Sequence, residues 1–234
     1  MKILVINPGS TSTKIAVYEN DTPRLVRNIR HTVDELSSFS HIIDQFEFRK
    51  NLVLKELEAD NIPFEFDAIV GRGGLLKPIP GGVYEVNDAM LDDILHAMRT
   101  HACNLGCLIA SELAALLPGC RAFIADPGVV DELDEIARIT GSPLMPRITI
   151  WHALNQRAIA RRYAAAQHVR YEDLDLIVCH LGGGISVGVH HHGKAVDVNN
   201  ALDGEGPFSP ERAGTLPAGQ LIDLCSVSYT HLRA

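Results

Sequence analysis

Three short stretches carry residues whose types and spacing suit anion chemistry. Asn7-Pro8-Gly9-Ser10 joins two β-branched and apolar runs, Ile3–Ile6 and Thr13–Tyr18. Pro8 fixes φ, Gly9 accepts φ > 0, and Asn7 or Ser10 can hydrogen-bond nearby backbone, so the unit reads as strand, tight turn, strand. Such a tip, with Ser10 and Ser12, offers backbone N–H groups and hydroxyls to phosphate oxygens, and Lys14 adds a cation nearby in sequence. It is not a Walker loop, because GxxxxGK[ST] followed by a helix is absent. A plain hairpin turn without a ligand explains the same residues. The device recurs, however: Leu176–His180 is strand-like, Leu181-Gly182-Gly183-Gly184-Ile185 is a turn, and Ser186–His190 runs on as a strand. The third stretch, Gly71-Arg72-Gly73-Gly74, sets one arginine among residues that obstruct little. Its guanidinium fork fits a carboxylate or phosphoryl group better than a lysine would.

Other candidates are more ambiguous by themselves. Asp126-Pro127-Gly128 closes the strand-like run Arg121–Ala125, where a carboxylate can reach a cleft, but it is also an ordinary turn signal. His101 stands between two helical segments, and His152 lies in the first turn of a third. Ala201–Gly219 is a long Gly- and Pro-rich loop holding Asp203, Glu205, Glu211 and Arg212, and loops of that length are often functional. His190, His191 and His192 are consecutive at a strand end; successive strand side chains point to opposite faces, so a solvated hairpin tip is expected rather than a metal site. Cys103 and Cys107, at i and i+4, read as core packing, since CxxC spacing is missing.

The elements that must position these residues follow from periodicity. Arg24–Thr32 suits a third strand beside the first hairpin, and His41–Asn61 reads as helix through Ile42, Ile43, Phe46, Leu52, Val53 and Leu57. Phe66–Val70 and Val83–Val86 are strand-like. Asn87 is a plausible N-cap for a helix through Arg99, and Leu105–Leu117 is a further helix stopped by Pro118-Gly119. Val130–Ile139 is expected to be helical. Thr149–Ala166 has the clearest helical spacing, with Leu154, Ala158, Ile159 and Tyr163 recurring.

Composition sets broad limits. The chain has 234 residues, enough for one or two domains, and a formal charge of −8, which argues against a general nucleic-acid binder. No apolar run is long enough to span a bilayer, and the N-terminus enters a strand without a signal-peptide core. Five cysteines without a disulfide framework suit a reducing cytosol, so a cytoplasmic location is expected.

Taken together, Val5-Ile-Asn-Pro-Gly-Ser-Thr-Ser-Thr-Lys14, His180-Leu-Gly-Gly-Gly-Ile-Ser-Val187 and the run from Asp197 to Gly214 resemble the butyrate kinases of the acetate kinase family, from Met1 to about Leu224. The resemblance implies an α/β fold of duplicated ribonuclease H-like (actin-like ATPase) domains. The expected organisation is an N-terminal domain at 1–129, a partial second domain at 130–225 and a non-family tail at 226–234. Family members continue beyond Leu224, so an incomplete second domain and weak or absent activity are expected of the chain as written.

The implied reaction is reversible phosphoryl transfer from ATP to a short-chain carboxylate, butyrate giving butyryl phosphate and ADP, with Mg2+. A carboxylate is already ionised, so positioning and charge neutralisation replace a general base. By resemblance Arg72, Asp126, His152 and Arg212 are the catalytic set, and Arg72 and His101 line the acid pocket. Asn7, Ser10, Ser12, Lys14, His180, Gly182, Gly183 and Gly184 face the nucleotide, with Asn7 and Asp126 towards the metal. A homodimer is expected, with neither nucleic acid nor membrane as partner. Acetate, propionate or branched-acid kinases, and a non-catalytic nucleotide-binding fragment, stay open as alternatives.

Overall fold

The structure, a computed structural model, describes residues 1–97 and 99–226. It divides into two compact units, Met1–Val130 and a second beginning at Asp131.

The first unit opens with three strands, β1 (Lys2–Pro8), β2 (Ser12–Glu19) and β3 (Thr22–Arg30). They pair antiparallel, with Asn7 opposite Lys14 beside the first turn. A short helix α1 (Val33–Ser37) is started by a capping box in which Thr32 and Glu35 satisfy each other's backbone N–H groups. Helix α2 (Phe46–Ala59) follows a single 3-10 turn, and β4 (Ala68–Gly71) then lies parallel to β1. After β5 (Val83–Glu85) comes α3 (Asp88–Leu95), whose Asn87 cap accepts a hydrogen bond from the Met90 N–H. Helix α3 ends at Leu95, short of the expected Arg99. Helix α4 (Asn104–Ala115) leads to β6 (Arg121–Ala125), parallel to β4 and antiparallel to β5. The six-stranded order is β3-β2-β1-β4-β6-β5.

The main core lies where Leu4, Ile6, Ile15, Val17 and Ile69 of the sheet meet Val53 and Leu57 of α2 and Leu105, Ile109 and Leu113 of α4. Cys103 and Cys107 are both buried; burial pushes their thiols up to about 11 and about 12, so they remain protonated and inert.

One charged residue sits inside this apolar frame. Arg49 occupies the inward stripe of α2, between partly buried Phe46 and buried Val53, with no exposed surface. Burial lowers its pKa to about 10, which still leaves it charged at neutral pH. The guanidinium donates to the Ser12 carbonyl at 3.1 Å, Thr13 Oγ1 at 3.0 Å and the Ser10 carbonyl at 3.4 Å. Two further bonds reach Gln45 Oε1. A helix residue thus holds the inner side of the β1–β2 turn.

The second unit begins irregularly. Only Glu135–Arg138 forms a 3-10 turn where a helix over Val130–Ile139 was expected. The reason is competition: the Asp134 N–H bonds the Val196 carbonyl, and Arg138 bonds Asp131 and the Leu133 carbonyl. Helix α5 (Ala153–Ala166) starts later than expected, because the Ile148 and Ile150 carbonyls accept from Asn200 Nδ2 and the Ala201 N–H. His152 is therefore its N-cap and not part of its first turn. The buried face of α5 is Ala153, Gln156, Arg157, Ala160 and Ala164; Leu154, Ile159 and Tyr163 face outward.

Strands β7 (Asp175–Leu181), β8 (Ile185–His191) and β9 (Lys194–Val198) form an antiparallel meander, with Ala160, Ala164 and Tyr171 packed on Leu174, Leu176 and Val178. It repeats the β1–β3 meander of the first unit, and β9 had no clear sequence signal. Helix α6 (Ala218–Ser226) ends the described chain. The proposed tail over 226–234 lies outside the described residues beyond Ser226. No helix among the described residues is long and apolar enough to cross a membrane.

The histidine run is not a uniformly solvated tip. His191 and His192 are exposed, but His190 is fully buried against Trp151 and Tyr171, because strand alternation turns it inward. Burial foremost, then the nearby Arg157 charge, lower its pKa to about 4.

Two predictions follow from these buried groups. Replacing Arg49 by Leu leaves the turn carbonyls, Thr13 and Gln45 without their donor, and should destabilise the first unit by about 3 kcal/mol in urea unfolding. An unchanged midpoint would show that the turn holds itself. His190 titrates near 6.5 when unfolded and near 4 when folded, so its contribution is complete above about pH 6.5 and is lost as pH falls from there towards 4. The expected loss is roughly 3 kcal/mol at most. His190→Gln should flatten the pH dependence of the unfolding midpoint in that window, and equal slopes for parent and variant would contradict the assignment.

Candidate functional site

In the first unit the candidate residues gather around the C-terminal ends of β1 and β4. Asn7 is the penultimate residue of β1, and the Arg72 backbone N–H continues the sheet to the Ile6 carbonyl at 2.8 Å. That register places Arg72 Nη1 3.3 Å from Asn7 Oδ1, a donor-to-acceptor contact between two half-buried side chains. The start of α4 presses directly against this loop. A Cβ on Gly106 would lie 2.4 Å from the Arg72 carbonyl oxygen, so only glycine permits that approach.

His101 enters the same neighbourhood from before α4. Its Nδ1 accepts the Cys103 N–H at 3.2 Å, which orients the ring at the helix start. Asn104 Oδ1 accepts the Leu75 N–H, tying the Gly73-Gly74-Leu75 loop to the same helix end.

The β1–β2 turn behaves differently from a fully open anion cradle. The Gly9 N–H is used inside the turn, bonding the Ser12 carbonyl at 2.7 Å. Ser10 is exposed, Ser12 is half-buried, and Lys14 is exposed on the face opposite Thr13 and Ile15. With Arg49 drawing the Ser10 and Ser12 carbonyls inward, the outer side of the turn is left with little negative dipole.

Asp126 is buried and carries a positive φ of 37°, an uncommon conformation for a non-glycine residue. Its Oδ1 accepts the Gly82 N–H at 2.9 Å, and its own N–H donates to the Gly82 carbonyl at 2.8 Å. The residue therefore clamps the Pro78–Gly82 loop onto the end of β6. This loop-holding role had no direct sequence signal beyond the turn chemistry of Asp-Pro-Gly.

In the second unit the glycine turn joins β7 to β8 and is closed over by the long loop. Arg212 Nη1 lies 1.5 Å from where a Cβ on Gly184 would stand, so the guanidinium covers that backbone directly. His152 Cε1 is 3.4 Å from the same point. Ser209 and Arg212 pair their backbones, and Ser209 Oγ donates to the Gly183 carbonyl. The Glu211 carboxylate lies against Gly183, with Oε1 2.7 Å from where a Cβ on Gly183 would stand. His152 stacks on His180 with ring centroids 3.7 Å apart and planes 7° from parallel. His180 Nδ1 bonds Asn155 Oδ1, and His152 Nδ1 lies 2.9 Å from Ser186 Oγ.

His152, His180, Gly182–Gly184 and Arg212 thus form one neighbourhood in the second unit. Asn7, Arg72 and His101 belong to the first unit. The sequence reading missed Arg49, Gln156 and Ser186. Arg49 did leave a trace, as one of two adjacent cations, with Lys50, beside the Ile42, Phe46, Val53, Leu57 stripe.

Among the described residues no group of three or more His, Cys, Asp or Glu side chains is arranged to hold a metal ion. Asn7 and Asp126 each offer a side-chain oxygen, a hard donor of the kind Mg2+ takes one or two of alongside water and substrate phosphates.

No protein-family model matches the chain. A protein of Bacteroides thetaiotaomicron named probable butyrate kinase is 80% identical over 225 residues, covering 96% of this chain and 64% of its own length. Butyrate kinase 2 of Clostridium acetobutylicum is 55% identical over 232 residues, covering 98% of this chain and 65% of its own length. The chain therefore spans slightly less than two thirds of these relatives.

Among solved structures, acetate kinase from Entamoeba histolytica matches with a TM-score of 0.70 at 16% identity, over 97% of this chain and 62% of that one. Acetate kinase from Porphyromonas gingivalis matches at 0.66 and 20% identity, over 95% and 63%. These likenesses support the ribonuclease H-like, actin-like ATPase fold expected from the two hairpins. Over the stretch it spans, the chain is similar throughout to proteins named butyrate kinase.

Proposed function

We propose that the protein carrying this chain is a carboxylate kinase, catalysing reversible phosphoryl transfer between ATP and butyrate to give butyryl phosphate and ADP. The observation that carries this reading is the 80% identity, across 96% of the chain, to a relative named probable butyrate kinase. The local geometry supports it: an arginine lies against a side-chain-free turn beside a histidine, and a second arginine is held at a strand end by Asn7.

The chemistry follows from the residues. The acid arrives as an ionised nucleophile, so no side chain has to remove a proton from it. Arg72 and Arg212 neutralise charge on the carboxylate and the phosphoryl group, a task for which a planar fork is better matched than an ammonium. His152 donates to a phosphoryl oxygen, and His101 helps shape the acid pocket. Gly182, Gly183 and Gly184 let the nucleotide phosphates approach the backbone, His180 supports the ring of His152, and Ser10, Ser12 and Lys14 face phosphate at the first turn. Mg2+, when bound through the nucleotide, would lean on Asn7 and Asp126 and supply further charge neutralisation. A cytoplasmic homodimer completes the reading.

The decisive test is hydroxylamine trapping of acyl phosphate by a polypeptide carrying this chain at its relatives' full length. The assay uses Mg-ATP with acetate, butyrate or isobutyrate. Butyryl hydroxamate should dominate. Preference for acetate would replace the substrate while keeping the reaction, and silence with all three acids would remove the kinase reading. In the active protein Arg212→Ala should lower kcat about 10²–10³-fold, the usual worth of one donor on a developing anion, and Arg212→Lys should recover only part of it.

A further inference from the structure

Two polar faces meet behind His152. On β8, Ser186, Gly188 and His190 share one side of the strand, since every second residue does, and all three are buried. On the facing element, His152 caps α5 and Gln156 sits one turn further on, fully buried.

A continuous chain of hydrogen bonds joins them. Tyr171 Oη bonds His190 Nδ1, and His190 Nε2 lies 2.9 Å from Gln156 Oε1. Gln156 Nε2 reaches the Ser186 carbonyl at 2.9 Å and Ser186 Oγ at 2.8 Å. Ser186 Oγ lies 2.9 Å from His152 Nδ1 and 3.4 Å from the His152 backbone nitrogen. Gly188 leaves the space: a Cβ there would stand 2.5 Å from Gln156 Oε1 and 3.1 Å from His190 Nε2.

The direction of each bond is fixed by what its ends can do. A carbonyl only accepts, so Gln156 must turn its NH2 group to Ser186. Its Oε1 then faces His190 Nε2, which has to carry the proton. A neutral His190 leaves Nδ1 bare to accept the Tyr171 hydroxyl proton. At the other end, Ser186 Oγ has two lone pairs. Gln156 Nε2–H takes one and the His152 backbone N–H takes the other. Its single proton is left for His152 Nδ1.

We propose that Gln156 and Ser186 are positioning residues that hold His152 as the neutral Nε2–H tautomer, with Nε2–H presented as a fixed hydrogen-bond donor. Stacking on His180 restrains the same ring from its flat side. What that donor serves, an oxygen of the transferring phosphoryl group, rests on the kinase reading; the tautomer itself does not. The relay makes the donor independent of a charged imidazolium, so it is present at neutral pH without an added proton.

The test is histidine-labelled NMR of the chain without ligand at about pH 7.5. Two-bond 1H–15N correlations distinguish the two neutral tautomers from each other and from imidazolium. His152→Gln identifies the resonance among the 11 histidines. The Nε2–H form should dominate in the parent, and Ser186→Ala should reduce that bias roughly fivefold, the net worth of one hydrogen bond. An Nδ1–H or doubly protonated His152 in the parent overturns the proposal, whether or not the variant folds. An unchanged bias in a folded Ser186→Ala chain overturns it as well. Because no nucleotide or acid is present, a silent kinase assay leaves a positive tautomer result standing. A wrong tautomer equally leaves the kinase reading intact.

Discussion

A tight turn that keeps its outer side open cannot be held by side chains there, because those would fill the space. Its carbonyls must be satisfied from within. In the first unit that constraint is met by the buried guanidinium of Arg49, which takes the Ser10 and Ser12 carbonyls and Thr13 Oγ1 while anchored to Gln45, the N-cap of its own helix. An isolated charge at zero exposure would be costly; five hydrogen bonds from one planar fork offset the desolvation. The position of α2 against β1 and β2 is thereby coupled to the shape of the turn.

The second unit holds its turn differently, from a covering loop. Its Gly182–Gly184 turn is covered by the Ser209–Arg212 segment, with the Ser209 hydroxyl on the Gly183 carbonyl and the Arg212 guanidinium against Gly184. Behind the turn, Gln156 and Ser186 take the place of the arginine-centred network. Duplication of the strand–turn–strand device did not duplicate its support. One unit uses charge delivered from a helix, and the other uses neutral relays between a helix and a strand. Neutral groups are less costly to bury, and a relay of them can fix the proton of a neighbouring ring without placing a second charge beside it.

Much of the frame was legible in the chain because it depends on local pattern. Strands β1, β2, β6, β7 and β8 follow from β-branched runs bounded by Gly, Pro and Asn, and the Asn87 cap follows from residue type. Two errors in helix bounds share one cause, long-range competition for backbone groups. Val130–Ile139 loses its helix to the Val196 carbonyl, and α5 starts late because Asn200 and Ala201 claim the preceding carbonyls. The exposed side of α5 carries the residues with the clearest helical spacing, Leu154, Ile159 and Tyr163. The buried side is small and polar, a pattern that hydropathy reads backwards.

By itself, the sequence determined the two glycine-bearing hairpins and the loop placing of Arg72 and Arg212. Spacing along the chain determines which residues lie at turns and strand ends. Tertiary structure alone decided that Arg49 faces inward, that His190 is buried while His191 and His192 are not, and that Asp126 clamps the Gly82 loop. It also decided the direction of every proton between Tyr171 and His152. These depend on which donor meets which acceptor across elements distant in sequence, and periodicity carries no information about that pairing.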